Sequence, residues 1–338
     1  LSTGRRFSGY LSTARRAALG GMTNPDHTDS PLAHPRHRPP APKNLEALTA
    51  VARSIDVPFA FSHSTAAEIA GWPTPWAARV VGDLHVITET RAGHLKRTGF
   101  IGHRGLESRA VVLRHGLPIV APAHTWADLG ELVGRGLPYT FEDIIGAGDQ
   151  ALNAGCTKEQ LRLIVESRIR PRGKRTLLPA LPWMRRGSES MLETGTRLVV
   201  HRGGVPSASL NRNVYDSKGN FLFRPDLAWR AKRVAVECQG TEYHDTPDAV
   251  ASDTRRFAVG KRHGWTFLEV RSDQIWDRDL RNEFLSALAD ALGFPAHRLD
   301  LPAAEPQRHS PEAAATLLEN LERRRRRGRA QQSATRRP

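Results

Sequence analysis

The stretch from residue 188 to residue 292 constrains the fold most, because helix and strand patterns alternate along it. A helical pattern over 188–201 precedes strand patterns that are separated by an Asp216–Gly219 turn, as is typical of a β-hairpin. Three further strands and two helices are predicted over residues 226–229, 234–238, 250–263, 265–270 and 280–292. This order predicts a mixed sheet flanked by helices, in the α/β class.

The chain before this stretch has a different organisation. Residues 44–170 combine a helix capping box, short β-rich segments and two amphipathic helices, which predicts an α+β module. Residues 171–185 are rich in Pro and Arg and predict a linker. The α/β domain is therefore expected to occupy residues 186–294.

The two ends of the chain carry most of its charge. The formal net charge is +15, of which residues 1–43 and 301–338 contribute +5 each. The middle is therefore only mildly basic, and charge alone is weak evidence for a nucleic-acid site there. Residues 1–43 and most of the Arg-rich tail 295–338 are predicted to be disordered. Met22 is an alternative translation start, which would leave residues 1–21 untranslated.

Composition excludes several classes of protein. Cys156 and Cys238 are the only cysteines, so a disulfide scaffold and a zinc site of four cysteines are excluded. No apolar run approaches the roughly 18 residues of a membrane helix, so we expect a cytoplasmic protein without membrane contact. Walker, GxGxxG, HExxH and GxSxG motifs are absent.

Two carboxylates on neighbouring predicted strands carry the candidate chemistry. Asp226 begins one strand and Glu237 ends the next, so in a hairpin their side chains can converge at one end of the sheet. Paired carboxylates with water between them suit a hard Mg²⁺ ion, which activates water for phosphodiester cleavage. Spacing alone leaves structural roles open, as a turn residue at Asp226 or an exposed strand-end acid at Glu237.

Three other titratable residues are candidates for the same site. Glu193 lies in the first helix, and Asp253 opens the helix that follows His244. His244 is a candidate proton carrier because the reference pKa of histidine lies near neutrality. The structural alternatives are a capping box that ends at Glu193, a loop histidine, and an acid that favours a helix N-terminus.

Residues 186–292 resemble the Vsr-like endonuclease-fold domain of unknown function that is common in actinobacteria. The matching stretches are Glu193 to Arg197, Arg224 to Trp229, Val234 to Gly240, Glu242 to His244, Asp253 to Arg256, and Gly264-Trp265. The resemblance implies the restriction-endonuclease, PD-(D/E)XK, type of mixed sheet. It also implies Mg²⁺-dependent cleavage of DNA, with Mn²⁺ as an alternative ion.

The resemblance further implies a role for individual residues. Asp226 and Glu237 hold the metal, and Glu193 and Asp253 bind the metal or position water. His244 acts as an acid or base. The residues implied to contact phosphate or brace the carboxylates are Arg197, Arg255 and Arg256.

One position departs from the pattern of the superfamily. Gln239 stands where the usual lysine would place a positive charge beside the attacking water and the scissile phosphate. Glutamine can orient water by hydrogen bonds but supplies no charge. A catalytically silent nuclease fold that only binds DNA is therefore a rival interpretation.

Residues 59–170 resemble the module found beside such domains in AbiEi-type antitoxin-like proteins. The matching stretches are Phe61 to Ala67, Gly71, Leu84 to Thr88, Gly102 to Arg104, Gly116 to Pro118, and Thr125 to Leu129. The resemblance implies a co-encoded toxin or another protein as a partner. His63 and Thr65 fit capping and core roles better than ligand binding. A basic cluster, read as phosphate contacts or as a solvated hairpin, comprises Arg91, His94, Lys96, Arg97, His103 and Arg104.

The sequence therefore predicts a two-module protein that hydrolyses phosphodiester bonds of DNA with Mg²⁺. The alternative is a non-catalytic DNA-binding regulator, or a type IV antitoxin-like protein, with a silent nuclease fold. A third interpretation is a structural protein with basic tails, which predicts no salt-sensitive DNA binding once the tails are removed.

Overall fold

A computed structural model describes two compact units, one formed by Leu1–Leu132 with Leu318–Pro338 and the other by Val133–Leu317. The described residues are 42, 44–81, 83–92, 95–134, 136–168, 172–240 and 257–307, with 316–317, 319–320, 322–323 and 326. The predictions for residues 1–41 and for most of the Arg-rich tail lie outside these residues.

The N-terminal unit is built on a five-stranded mixed sheet of order β3-β2-β1-β5-β4. Its strands are β1 Phe59–Phe61, β2 Leu84–Thr88, β3 Phe100–Arg104, β4 Val111–Arg114 and β5 Leu117–Val120. Its helices are α1 Leu45–Arg53, α2 His63–Ile69, α3 Trp76–Val81 and α4 Pro122–Leu129. Strand β1 is antiparallel to β2 and parallel to β5, and β2 is parallel to β3.

The C-terminal unit contains a four-stranded mixed sheet of order β11-β10-β9-β6 and a separate hairpin of β7 and β8. Its strands are β6 Ser209–Leu210, β7 Val214–Tyr215, β8 Phe221–Phe223, β9 Leu227–Trp229, β10 Val234–Gln239 and β11 Thr266–Arg271. Its helices are α5 Phe141–Asn153, α6 Lys158–Ser167, α7 Lys174–Ala180, α8 Met191–Arg202, α9 Ser272–Trp276 and α10 Arg278–Leu292. Residues 257–262 are also helical. The predicted α/β class with mixed sheets flanked by helices is thus confirmed at this level.

Alternation along β10 determines what each face of the main sheet carries. Val234 and Val236 pack into the larger core with α8 and α10, whereas Ala235 packs into a smaller cluster that includes Phe223 and Trp265. Successive side chains of a strand point to opposite faces. Glu237 and Gln239 therefore share the face of Ala235.

The last long helix forms where the sequence predicts it. The side chain of Asp277 accepts hydrogen bonds from the backbone N–H groups of Asp279 and Leu280, which caps the N-terminus of α10. Gly293 ends the helix in the left-handed conformation, with φ of 61°. None of the helices in the described part of the chain combines the length and apolar character needed to cross a membrane.

The division between the units falls at residue 132, whereas the sequence predicts it within residues 171–185. Helices α5 and α7 pack in the C-terminal unit, and α5 lies against α8. Gly146 permits this approach, since a Cβ atom there would lie 2.3 Å from the sulfur of Met191. Residues 174–180 of the predicted linker form α7, in which Leu177 is fully buried.

Candidate functional site

Asp226 lies directly before β9 and faces the end of β10. Its Oδ2 accepts a hydrogen bond of 2.7 Å from the backbone N–H of Cys238. Leu227 pairs with Val236 in the antiparallel register of β9 and β10. Continuing that register by one pair brings Asp226 opposite Glu237 on the same face of the sheet. The structure therefore brings these two carboxylates together at one edge of the sheet.

Glu237 is a buried residue. Its side chain is only 4% exposed, so the alternative of an exposed strand-end acid is wrong. The next strand, β11, places Glu269 beside Glu237 and Arg271 beside Gln239. Gln239 is half-buried and Arg271 is exposed, so this edge of the sheet carries both acidic and basic groups.

Glu193 belongs to the same neighbourhood, although it comes from α8. Its backbone N–H donates to the Oγ of Ser190, and its Oε2 accepts from the backbone N–H of Glu189 at 2.7 Å and from Nδ2 of Asn211 at 2.6 Å. Burial, and after it the negative charge of Asp226, raises the pKa of the Glu193 carboxyl to about 8. Ser190 therefore caps the helix as the structural alternative expects, but the carboxyl of Glu193 lies in a buried acidic setting.

The thiol of Cys238 is affected electrostatically by the same three carboxylates. Burial raises the pKa of its thiol well above the usual range, and the charge of Asp226 adds to this effect, followed by those of Glu193 and Glu237. The thiol lies between the strand and α8, with its Sγ 3.6 Å from the Oγ1 of Thr196. A thiol that keeps its proton is a poor nucleophile, so the candidate chemistry rests with the carboxylates.

The predicted metal-binding carboxylates do not form a closed cage. Within the described ranges, two groups of three ligand side chains have all their ligand atoms within 4.8 Å of one another, and both lie in the N-terminal unit. Mg²⁺ is usually held by one or two carboxylates, while water and substrate phosphate complete its shell. The pair Asp226 and Glu237 fits that mode of binding, in which the substrate completes the site.

Arg197 requires a correction. The resemblance implies that it contacts phosphate or braces the site carboxylates, but Arg197 is only 6% exposed, which contradicts the phosphate contact. Its guanidinium forms an ion pair of 2.5 Å with Oδ2 of Asp149 and donates to the backbone oxygen of Trp183. Asp149 also accepts hydrogen bonds from the backbone N–H of Arg185 and the hydroxyl of Thr194. Arg197 is therefore a buried structural cation, because its positive charge compensates the negative charge of the buried Asp149 carboxylate.

Four predicted site residues, His244, Asp253, Arg255 and Arg256, lie outside the described residues, as does His94 of the basic cluster. Two described members of that cluster have separate partners. Arg91 pairs with Glu89, and the guanidinium of Arg97 donates to Ser54 and lies over the ring of Phe100.

The N-terminal unit contains a group of residues that the sequence did not identify as a site. The rings of His63, His85 and His103, which we call the histidine cluster, stack with centroids 3.7 to 5.2 Å apart. Glu131 lies beside His63, with its Oε2 3.8 Å from Nε2 of the histidine. The one usable signal is that β2 and β3, predicted as β-rich or basic segments, each carry a histidine. The core role predicted for Thr65 is confirmed, since it is buried and its hydroxyl accepts from the backbone N–H of His85.

Taken with its fold, the C-terminal site defines a mixed α/β protein with buried acids at a sheet edge.

Two uncharacterized proteins of Mycobacterium tuberculosis, MT2308 of strain CDC 1551 / Oshkosh and Rv2248 of strain ATCC 25618 / H37Rv, are each 31% identical to this chain over 107 residues. The match covers 31% of this chain and 39% of each relative, so the chain spans about two fifths of the length of these curated relatives. No family model matches the sequence, and no solved structure matches the fold.

The raised pKa of Glu193 predicts how stability changes with pH. The folded state holds a proton that the unfolded chain releases near the ordinary pKa of 4.5. The contribution of Glu193 to stability is therefore greatest below that pH and is lost as pH rises through about 8. Glu193→Gln removes this dependence. We expect the fall in unfolding free energy between pH 5 and pH 8 to shrink by a few kcal/mol in the variant.

Urea unfolding with EDTA at both pH values measures this effect. Asp149, whose pKa burial also raises, is present in both proteins and contributes equally to each. Glu166→Gln, at an exposed position of α6, is the matched control. Equal pH dependence in the wild type and in Glu193→Gln would show that Glu193 ionises normally in the folded protein.

Proposed function

We propose that the C-terminal unit hydrolyses phosphodiester bonds of DNA with Mg²⁺, or Mn²⁺, as its cofactor. The observation that carries this proposal is the position of Asp226, which lies near Glu193 and opposes its ionisation, and which faces Glu237 in the continued register of β9 and β10. Two of these carboxyls are at most 6% exposed. Burying several acids together is costly unless a cation or a proton compensates them.

The charge balance of the site supports a divalent cation. Glu193 keeps its proton near neutral pH because burial and Asp226 oppose its ionisation. A cation bound by Asp226 and Glu237 removes that opposition, so cation binding and proton release by Glu193 are coupled. Hard carboxylate oxygens are the ligands that Mg²⁺ prefers.

Each residue has a defined part in the proposed reaction. Asp226, whose Oδ2 accepts a hydrogen bond from the backbone N–H of Cys238, and Glu237 would hold the ion. When bound, Mg²⁺ supplies Lewis-acid stabilisation and lowers the pKa of water. Glu193 holds or releases a proton beside Asp226, and Gln239 orients the attacking water by hydrogen bonds.

Arg271 offers the charge that Gln239 lacks. The two residues are paired in the parallel register of β10 and β11, so their side chains leave the sheet on the same face. Arg271 is exposed, and a guanidinium binds phosphate in a bidentate manner. We assign it to the scissile phosphate, in the role that a lysine at position 239 would have.

The resemblance to Vsr-like domains supports a PD-(D/E)XK fold for this unit.

A cleavage assay on the full chain tests the proposal. The substrates are supercoiled, single-stranded, mismatched and branched DNA, each with Mg²⁺, Mn²⁺ or EDTA. We expect metal-dependent cleavage of at least one substrate and a rate at least about 100-fold lower for Asp226→Asn, since metal stabilisation is worth several kcal/mol. Asp290→Asn, on an exposed position of α10, should cleave like the wild type. Cleavage that survives EDTA or Asp226→Asn would contradict the proposal.

A DNA-binding regulator without catalysis is the second candidate function, favoured by Gln239 at the position of the usual lysine. It predicts salt-sensitive DNA binding with no cleavage of any substrate in Mg²⁺ or Mn²⁺. A tight complex with a co-encoded toxin would support the antitoxin-like form of this candidate.

A further inference from the structure

We propose that the N-terminal unit binds a divalent transition-metal ion of the Zn²⁺ class through the histidine cluster and Glu131. The ion would be held by imidazole nitrogens of His63, His85 and His103 and by a carboxylate oxygen of Glu131. This site is separate from the proposed nuclease site in its residues and in the metal that it selects.

The fold brings the three histidines together from distant parts of the chain. His63 is the first residue of α2, directly after β1, while His85 and His103 lie on the parallel neighbours β2 and β3. All three offer a ring nitrogen within 4.8 Å of the other two. His63 is 2% and His85 4% exposed, so these two imidazoles are shielded from water, whereas His103 is partly exposed.

The donor chemistry selects the metal. Imidazole is a preferred ligand of Zn²⁺, Cu²⁺, Ni²⁺ and Fe²⁺, whereas Mg²⁺ and Ca²⁺ favour oxygen. Three histidines with a carboxylate or water form a four-coordinate zinc site with nitrogen ligands about 2.0–2.1 Å from the ion. That geometry sets the nitrogens roughly 3.3 Å apart. Nδ1 of His85 and Nε2 of His103 share a hydrogen bond of 2.9 Å, so the ion would replace the shared proton after a small turn of the rings.

The two ring nitrogens of His63 have different surroundings. Its Nδ1 is hydrogen-bonded to the Oγ of the buried Ser62 at 3.0 Å. Its Nε2 is buried and has no hydrogen-bond partner among the described residues, with Oε2 of Glu131 3.8 Å away. One ring nitrogen fixed by a neighbour while the other faces the site is the usual arrangement of a metal-binding histidine.

Backbone conformation at His63 points the same way. Its φ of 50° lies in the left-handed region that residues other than glycine rarely adopt. Such conformations cost of order 1–3 kcal/mol and occur preferentially at functional sites. At the first position of α2, this conformation turns the imidazole toward β2 and β3.

Glu131 is the fourth ligand in preference to Asp128. Both carboxylates form a second group with His63 and are not grouped with His85 or His103, so a carboxylate ligand would approach the ion from the side of His63. Asp128 is fully buried and forms an ion pair of 3.1 Å with Arg109, which fixes its position. Glu131, in the 3-10 helix Gly130–Leu132, is about a quarter exposed and leaves a path by which an ion can enter. Asp128 and Arg109 thus support the site from outside.

Metal titration of the tag-free full chain tests this site without reference to cleavage. After removal of metal with a chelator, Zn²⁺ is titrated by calorimetry and Co²⁺ by its visible ligand-field absorption. We expect one high-affinity Zn²⁺ per chain and the intense spectrum of four-coordinate Co²⁺. His103→Ala should weaken Zn²⁺ binding at least about 100-fold. His27, His34 and His37 near the N-terminus remain in every variant.

Two further variants keep the test decisive. His297→Ala, at an exposed site, should bind Zn²⁺ like the wild type. Glu131→Gln, at a partly exposed position, tests the site where His103→Ala fails to fold, and should weaken binding at least about 10-fold. Equal Zn²⁺ affinity of the wild type, His103→Ala and Glu131→Gln, or no high-affinity Zn²⁺ in the folded wild type, would overturn the proposal. Loss of DNA cleavage alone would not affect it.

Discussion

Replacing Glu237 by glutamine is expected to abolish Mg²⁺-dependent DNA cleavage while DNA binding survives. The substitution keeps the volume of the side chain but removes the charge that a divalent cation needs. Metal-ion stabilisation of the transition state is worth several kcal/mol, and each 1.4 kcal/mol is about tenfold in rate. We therefore expect at least about a 100-fold loss in the single-turnover cleavage rate.

Binding and cleavage must be measured on the same preparations to interpret this loss. Fluorescence anisotropy with labelled DNA in Ca²⁺ reports affinity, which we expect to change little, because binding rests mainly on phosphate contacts. Glu283→Gln, on an exposed position of α10, is the matched control and should retain both properties. A Glu237→Gln variant that cleaves at the wild-type rate would remove Glu237 from the metal site.

Truncating Arg197 to alanine is expected to destabilise the C-terminal unit by about 3–5 kcal/mol. The substitution leaves the carboxylate of Asp149, which is fully buried, without its compensating cation. Removing one partner of a buried ion pair has a cost of this size. Denaturant unfolding monitored by tryptophan fluorescence measures the change in the free energy of unfolding.

A paired replacement distinguishes a structural role of Arg197 from a role in nucleic-acid contact. Asp149→Leu combined with Arg197→Met removes both charges and is expected to recover most of the lost stability. Arg202, paired with Glu142 elsewhere in the unit, remains unchanged in these proteins. Wild-type stability in Arg197→Ala, together with weakened DNA binding, would instead support the phosphate contact that the sequence implied.

Local patterns were sufficient to predict several elements of the C-terminal unit. Helix α10 was predicted over residues 280–292 with Gly293 at its end, and the structure adds the Asp277 cap and begins the helix at Arg278. The hairpin of β7 and β8 follows from the turn between Asp216 and Gly219. These signals are local because hydrogen bonds within a helix, a cap or a turn join neighbours in the chain.

The unit boundary was missed because it depends on contacts between distant residues. Arg197 and Asp149 are 48 positions apart, and their pairing leaves no periodic trace in the sequence. Prolines such as Pro171 and Pro179 suggested a linker, but Pro179 lies within α7. Buried contacts between α5 and α8 outweighed the local preference for a break.

The two candidate sites differ in how much of each could be predicted from the sequence. Convergence of Asp226 and Glu237 follows from a hairpin register that fixes which residues face one another. The three residues of the histidine cluster come from three segments whose spacing in the sequence matches no known motif, so the sequence alone does not predict the cluster. His85 lies in a β-rich segment, where the sequence pattern indicates only an ordinary strand residue. The parallel pairing of β2 with β3 places it near His103.

Cleavage of supercoiled DNA by the full chain in Mg²⁺, beside Glu237→Gln purified in parallel, tests the central claim most directly. The account predicts nicked or linear product from the wild type, none in EDTA, and at least about 100-fold less product from the variant. Cleavage at the same rate by both proteins would contradict the account, as would a wild type that binds supercoiled, single-stranded, mismatched and branched DNA but cuts none of them.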